Sequence, residues 1–217
     1  MKKAFVWDLP TRLFHWALVI LVGISFYTGS TGGFVEMDYH MYAGYAILSL
    51  VLFRILWGFI GSDHSRFIHF IRSPGVILAY TRSLRIPSEP RVGHNPLGAL
   101  SIIAMLSVLL LQVGTGLFAN DDILLEGPLS HLVSYDTSRQ LTAIHKTNRW
   151  IIVGLIALHL LAVTYYQVIR KHNIIQPMIT GWMKVSQDIP AQRNNRLLAI
   201  VTLGLTSGFV YYLVNFV

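Results

Sequence analysis

The sequence predicts an all-α protein built as a bundle of transmembrane helices, and three observations predict this fold class. Its 217 residues are 53% hydrophobic and 12% charged, with a mean hydropathy of +0.54, which is too apolar for a soluble domain of this length. Five stretches approach the roughly 20 apolar residues that a helix needs to cross a bilayer core. The loops between them alternate in charge, as in multi-pass membrane proteins.

The five predicted spans account for most of the chain. They cover residues 11–28, 41–60, 97–118, 144–169 and 197–216. Neither an internal repeat nor a low-complexity segment divides the chain, so we expect a single membrane domain over residues 1–217.

The first three spans carry boundary signals of their own. Pro10 and Thr11 suit the opening turn of the first helix. Gly61 follows the second span and is expected to end it. Asn95 precedes Pro96, so we expect the third span to begin there with the asparagine as its cap.

Two connecting segments are long enough to have structure of their own. Residues 62–93 mix apolar side chains with arginines and are expected to lie along the membrane surface, although Pro74 and Gly75 interrupt any single helix. Residues 120–143 are expected to hold a short surface helix within the segment GPLSHLVSYD. This second loop offers a natural surface for a partner outside the cell.

The net charge of +7 follows from the predicted topology. Cations collect in the loops of one side, whereas the alternate loops are acidic, and the positive-inside rule then puts the N-terminus in the cytoplasm and the C-terminus outside. We therefore expect a lipid bilayer as the surroundings and no nucleic acid as a partner. The cations on the predicted cytoplasmic side are Lys2, Lys3, Arg12, Arg66, Arg72, Arg82, Arg85, Arg91, Arg170, Lys171, Lys184, Arg193 and Arg196.

The chain has no cysteine. This excludes disulfides, thiolate catalysis, iron-sulfur clusters and haem attached through cysteine. Any metal must be held by nitrogen or oxygen ligands.

Four of the nine histidines fall at two depths of the predicted bundle. His145 and His159 are fourteen residues apart in the fourth span, so they share a face with about 40° of drift and lie about 21 Å apart. His40 opens the second span, level with His145. His15 lies fourteen residues before Gly29 at the outer end of the first span, level with His159. The sequence thus predicts an outer pair, His40 with His145, and an inner pair, His15 with His159.

Paired imidazoles from facing helices commonly clamp a haem iron on both axial positions. Glycines such as Gly23 and Gly44 would let a flat macrocycle approach the backbone, although membrane helices also use glycine for packing. A proton relay or a zinc or copper site remains an alternative for His159, and an interfacial histidine without a ligand role remains one for the other three. A proton path would favour buried carboxylates, and no Asp or Glu lies well inside a predicted span.

Several segments together resemble the prokaryotic cytochrome b561 family, in particular the di-haem b-type cytochrome subunits of membrane-bound nickel-iron hydrogenases. The resemblance covers residues 6–170, and the fifth span at 197–216 is a departure from it. The matching segments are RLFHW, HMYAG, RILWGFIGSDHSRF, GHNPLGA and IHKTNRWIIVGLIALH.

The resemblance implies four haem-binding spans with two haem b groups in a bacterial inner membrane. It also implies electron transfer between the quinone pool and a periplasmic partner, either a c-type cytochrome or a hydrogenase. On this basis the chain is expected to be a subunit of a respiratory oxidoreductase system rather than a stand-alone enzyme. The axial iron ligands that the family implies are His15, His40, His145 and His159.

Two other functions stay open on the sequence alone. One is a stand-alone oxidoreductase that oxidises superoxide at the periplasmic face and passes the electrons to quinone, with Arg139, Lys146 and Arg149 attracting the anion. The other is a colourless metal transporter or structural anchor.

Haem propionates need cations or hydrogen-bond donors beside them. Lys146 and Arg149 are predicted to serve the outer haem, and Arg12 the inner one. Arg54 falls inside the second span, where it must be paired or snorkel to the surface. A quinone pocket is predicted at the cluster formed by His64, Arg66, His69 and His94.

Overall fold

A computed structural model describes residues 2–84, 86, 92–123, 125–185 and 195–217. Three of the cations used for the topology, Arg85, Arg91 and Arg193, lie outside these residues. In chain order the elements are β1 Lys2–Phe5, α1 Leu9–Thr31, α2 Phe34–Ile60, α3 Phe67–Phe70, α4 Pro74–Ser83, α5 Pro96–Gly116, α6 Tyr135–Thr164, α7 Ile175–Thr180, β2 Trp182–Val185 and α8 Arg196–Phe216.

Five helices, α1, α2, α5, α6 and α8, are long and apolar enough to cross a membrane. They correspond to the five predicted spans, and the predicted fold class is confirmed. The last of them continues the bundle beyond the region of family resemblance, as the sequence predicted.

Two of the membrane helices begin well before the predicted spans. The turn between α1 and α2 consists of Gly32, with a φ of 67°, and Gly33. The helix α6 begins behind Ser134, whose hydroxyl accepts a hydrogen bond from the backbone N–H of Thr137. The prediction that His40 and His145 open their helices is therefore wrong, because each lies about two to three turns inside. Hydropathy marks where the hydrocarbon begins, whereas the helices extend past it.

The other helix ends follow the predicted signals closely. Asn95 caps α5 by accepting a hydrogen bond from the backbone N–H of Gly98 at 2.8 Å. Gly61 follows the last residue of α2. The first helix begins two residues earlier than predicted, because Asp8 is its cap and accepts from the backbone N–H of Thr11 at 2.7 Å.

The helix α2 is the centre of the bundle. It packs against α1, α5 and α8, while α5 packs against α6. Its Val51, Phe53 and Trp57 are almost fully buried. By contrast, α1 and α6 bury almost none of their most apolar stretches. The bundle therefore consists of an α1–α2 pair and an α5–α6 pair held together through α2.

Both connecting segments contain short helical elements. The described part of residues 62–93 includes two short helices, α3 and α4, which are separated just before Pro74, and no residue of α4 is buried. The second loop holds a single 3₁₀ turn, Ser130–Leu132.

A small sheet at the N-terminal end of the bundle was not predicted. The strands β1 and β2 pair in antiparallel register, with Lys2 opposite Val185 and Phe5 opposite Trp182. Ala4, Val6, Trp7, Met183 and Val185 form a small core beneath it. Each strand has only four residues and includes lysine, so hydropathy does not mark either strand as apolar. This sheet ties the start of the chain to the segment that joins α6 to α8.

Candidate functional site

Two pairs of histidine rings meet inside the bundle. The rings of His40 on α2 and His145 on α6 have centroids 6.0 Å apart at an interplanar angle of 84°. The rings of His15 on α1 and His159 on α6 are 6.4 Å apart at 52°. The structure thus brings together the same partners that depth along the helices had predicted, although the helix starts used to estimate that depth were partly wrong.

The ring separations suit a metal ion between each pair. A histidine nitrogen binds a metal at about 2 Å and lies about 1 Å from its own ring centre, so two rings on opposite sides of one ion are about 6 Å apart. Both observed separations are near the value expected for opposed axial ligands.

The rings of the outer pair are held by backbone carbonyls. His40 Nδ1 lies 2.8 Å from the carbonyl oxygen of Ser25, and His145 Nδ1 lies 2.9 Å from that of Gln112. A carbonyl only accepts hydrogen bonds, so each Nδ1 carries the proton and each Nε2 keeps a lone pair. This is the usual arrangement of a metal-bound histidine.

The side chain of Gln112 forms a hydrogen bond with His145 Nε2, the ring nitrogen that a metal ion would need. Its amide nitrogen is 3.1 Å from His145 Nε2, and its amide oxygen accepts a hydrogen bond from Asn148 at 2.8 Å. Gln112 must therefore turn away before His145 can bind an iron.

Each ring of the outer pair packs against a glycine of a neighbouring helix. A Cβ atom on Gly29 would lie 2.7 Å from His40 Nδ1, and one on Gly116 would lie 3.0 Å from His145 Cε1. No residue other than glycine leaves room for these rings in their present positions. Packing against the histidine rings was not predicted for either glycine. Gly29 had served only to define the outer end of the first span, fourteen residues from His15.

The inner pair has no comparable support. His15 Nδ1 is buried and has no hydrogen-bond partner among the described residues. The ring contacts Trp16 edge-on at 4.9 Å, and the Trp16 indole donates to the carbonyl oxygen of Met178 at 3.1 Å. His159 lies five residues before the end of α6, where it is half-buried.

The available ligands fit haem better than a zinc or copper site. No group of three or more His, Asp or Glu in the described chain is placed to hold a metal ion, whereas a structural zinc site takes four such ligands and a catalytic one three. Haem iron needs only two axial ligands from the protein, because the porphyrin supplies the others. A Cβ atom on Gly23, Gly44 or Gly154 would meet nothing within 4 Å, so none of these three glycines packs against another described residue.

The three cations predicted to serve propionates lie in different surroundings. Lys146 is exposed beside His145. Arg149 stacks on Trp150 at 5.0 Å, and its Nε has no partner among the described residues. Arg12 instead donates to the carbonyl oxygen of Ile179 in α7, so its side chain turns away from the inner pair towards the N-terminal end of the bundle.

Three of the four residues in the predicted quinone cluster meet at one pocket, the His64–His94 pocket, which has a volume of about 530 Å³. Arg66 is the exception, since it forms an ion pair with Asp63. The residues that line the pocket are Asp63, His64, His69, Phe70, Arg72, Val92, Gly93, His94 and Pro96.

Two imidazoles of this pocket are neutral near pH 7. Burial, together with the smaller effects of the positive charge of Arg54 and of the neighbouring His64, lowers the pKa of His94 to about 3. Burial also lowers the pKa of His64, an effect that the carboxylate of Asp63 partly offsets. His94 Nδ1 and His64 Nε2 have no hydrogen-bond partner among the described residues, so each can bind a polar ligand.

A buried carboxylate that the sequence analysis missed organises this end of the bundle. Asp8 is fully buried and accepts hydrogen bonds from the Trp57 indole at 3.0 Å and the Ser65 hydroxyl at 3.1 Å, besides its cap bond. The Ser65 hydroxyl also bonds Thr11 at 2.8 Å. These contacts join the start of α1 to the end of α2.

Arg54 does not snorkel. Its side chain is only 3% exposed, and its guanidinium lies over the Phe67 ring at 5.3 Å. The snorkelling alternative is therefore wrong, and the charge stays within the protein.

Stability should fall as the pH drops, because His94 resists protonation only while it is folded. The unfolded chain takes up this proton near pH 6.5 and the folded chain only near pH 3, so the folded state loses stability as the pH falls through that window. We expect His94→Gln to reduce the loss between pH 7 and pH 5, as measured by thermal unfolding in detergent. His131→Gln, on the exposed loop turn, serves as the control and should keep the wild-type slope. An unchanged slope in His94→Gln would count against this account.

The sequence of the chain matches a known protein family. A model of the family described as "Prokaryotic cytochrome b561" matches residues 6–181. The match ends before α8. No solved structure matches the chain.

Three curated relatives of the chain are named as B-type cytochrome subunits of Ni/Fe-hydrogenases. The "Probable Ni/Fe-hydrogenase B-type cytochrome subunit" of Azotobacter chroococcum is 23% identical, with 86% of this chain and 90% of that protein covered. The protein of the same name from Cupriavidus necator is 25% identical, with 84% and 87% covered. The "Probable Ni/Fe-hydrogenase 1 B-type cytochrome subunit" of Escherichia coli K12 is 22% identical, with 82% and 89% covered.

Proposed function

The chain belongs to the prokaryotic cytochrome b561 family, and we propose that it is a di-haem b-type cytochrome that passes electrons between the membrane quinone pool and a periplasmic redox partner. Family membership makes it a transmembrane b-type cytochrome of electron transport. The observation that supports the finer proposal is the presence of two facing histidine pairs at two levels of one bundle.

The residues that would hold the haem groups are His40 with His145 and His15 with His159. Haem b supplies one-electron redox chemistry at its iron. With two imidazoles as axial ligands, the protein leaves no open position for oxygen, which suits electron transfer. The two levels are about 21 Å apart along α6, because fourteen residues separate His145 from His159.

We place the protein in a bacterial inner membrane with the N-terminus in the cytoplasm and the C-terminus in the periplasm. The supporting observation is the concentration of Lys and Arg near the small sheet and the surface helices α3 and α4. The outer pair then lies towards the periplasm and the inner pair towards the cytoplasm.

The periplasmic partner is a hydrogenase or a c-type cytochrome. The names of the curated relatives favour a hydrogenase. The loop between α5 and α6 carries Asp121, Asp122, Glu126 and Asp136, and this acidic surface suits a partner with a basic patch.

The quinone head group binds in the His64–His94 pocket. Its volume lies within the usual range for small ligands of about 300–1,000 Å³. The unpaired nitrogens of His64 and His94 can bond the quinone oxygens. Trp7 contacts His94 at 4.5 Å, and it lies just before α1, eight residues from His15 in the sequence. The pocket is thus at the end of the bundle where the helix that carries His15 begins.

The structure does not favour superoxide oxidation at the outer face. Arg139 lies 3.6 Å from Asp122, so one of the three cations expected to attract the anion is already paired. Electron exchange with a protein partner accounts for the outer surface better.

Removing one inner ligand should remove one haem. We expect His159→Leu to retain a single haem per chain, because a lone His15 cannot hold an iron on both sides. The measurement is haem quantitation on purified protein. The matched control is His131→Leu in the loop turn, which should keep both groups. Two haems in His159→Leu would refute the ligand assignment.

Filling the space behind His40 should weaken the outer haem. A methyl group on Gly29 would lie 2.7 Å from the His40 ring, so Gly29→Ala displaces the ring at a cost of about 1–3 kcal/mol. We expect about tenfold or greater loss of outer haem affinity, measured by haem transfer to a scavenger protein. Gly208→Ala, where a Cβ atom meets nothing within 4 Å, is the control. Equal haem retention in the two variants would contradict the packing role.

Replacing the two histidines of the His64–His94 pocket with apolar residues should slow electron exchange with quinone. In the double variant His64→Leu with His94→Leu, we expect quinol to reduce the haems about tenfold or more slowly than in the wild type, because two hydrogen bonds to the quinone are lost. The haem content should stay unchanged. Stopped-flow reduction by quinol measures this rate. His172→Leu, which leaves the pocket lining intact, is the control. A wild-type rate in the double variant would move the quinone site elsewhere.

A further inference from the structure

We propose that Arg54 binds a propionate of the inner haem. This inference rests on the di-haem function proposed above and assigns to Arg54 the role that the sequence had suggested for Arg12.

Arg54 lies at the level of the inner histidine pair. Gly29 on α1 contacts His40 on α2, and this contact fixes how the two antiparallel helices align. Fourteen residues lead inward from Gly29 to His15 on α1, and fourteen lead inward from His40 to Arg54 on α2. His15 and Arg54 therefore lie at the same depth.

Arg54 also faces the same way as the outer ligand on its helix. A step of fourteen residues rotates an α-helix by only about 40° from the starting face. The same step separates His145 from His159 on α6. At the inner level, α2 thus presents a guanidinium where α1 and α6 present imidazoles.

The guanidinium is buried and incompletely bonded. Arg54 is 3% exposed, and its Nη1 has no hydrogen-bond partner among the described residues. The nearby carboxylate of Asp8 is already occupied by the Thr11 N–H, the Trp57 indole and the Ser65 hydroxyl. A buried charge with an unused donor is costly, so an additional anion at this position would be stabilising.

A carboxylate of haem b satisfies these requirements. An arginine binds a carboxylate through charge-assisted hydrogen bonds that gain strength away from water. Arg12 also has a buried Nε without a hydrogen-bond partner among the described residues, but its Nη1 already donates to the Ile179 carbonyl. Arg54 is preferred because its side chain is almost fully buried and lies at the depth of His15.

The redox potential of the inner haem reports this contact. A positive charge beside the macrocycle favours the ferrous state, so Arg54→Gln should lower the midpoint potential of one haem and leave the other unchanged. Arg54→Lys keeps the charge and should restore most of the wild-type potential. Arg139→Gln, at the outer loop, is the matched control and should change neither potential.

A haem without free carboxylates separates a propionate contact from a general field effect. Full-length apoprotein from haem-depleted membranes is loaded with haem b or with its dimethyl ester, and retention of each haem is measured by transfer to a scavenger protein. We expect the wild type to hold haem b more tightly than the ester at the inner site, and Arg54→Gln to hold the two equally. The same preference for haem b in both proteins would overturn the inference.

If Arg54→Gln loses its inner haem altogether, the comparison is made with Arg54→Lys. That variant keeps the charge and should retain the wild-type preference for haem b over the ester, and loss of that preference overturns the proposal. A wild-type protein with fewer than two haems would overturn the di-haem function itself. A two-haem wild type whose inner potential ignores Arg54 would overturn this inference alone.

Discussion

The facing of two imidazole pairs inside an apolar bundle is the arrangement on which the rest of the structure depends. Each ring brings two polar nitrogens into a region where an unpaired polar group is costly. The protein meets part of this need with backbone carbonyls for His40 and His145, and an iron would meet the rest. The loose contact between the α1–α2 and α5–α6 pairs, with open glycine faces on both, follows from the same requirement for room between facing rings.

The two levels of the bundle are built differently. At the outer level, each ring is fixed by a carbonyl on one side and a glycine of a neighbouring helix on the other. At the inner level, His15 has no such support among the described residues, but a buried charge network around Asp8 lies beside it. Packing therefore fixes ligand orientation at one level, while charge dominates the surroundings at the other. Two cofactors of the same kind would differ in potential in such surroundings.

The sequence predicted correctly those positions that depend only on the repeat of one α-helix. The fourteen-residue spacing of His145 and His159 needs no knowledge of neighbouring helices, and it led to the pairing that the structure contains. The helix starts were wrong because hydropathy does not detect the amphipathic turns before His40 and His145. The roles of Gly29, Asp8 and the small sheet were not predicted. Each of these roles depends on contacts between segments that are far apart in the sequence, and a single sequence does not show such contacts.

The electron paramagnetic resonance spectrum of the oxidised protein tests the central claim most directly, because it distinguishes iron with two strong axial ligands from iron with one. The account predicts two low-spin ferric signals of equal intensity and no high-spin signal. The steep angle between the rings of the outer pair should also make the two low-spin signals distinct from each other. A single low-spin signal, or a high-spin signal of comparable intensity, would contradict paired histidine ligation at two levels.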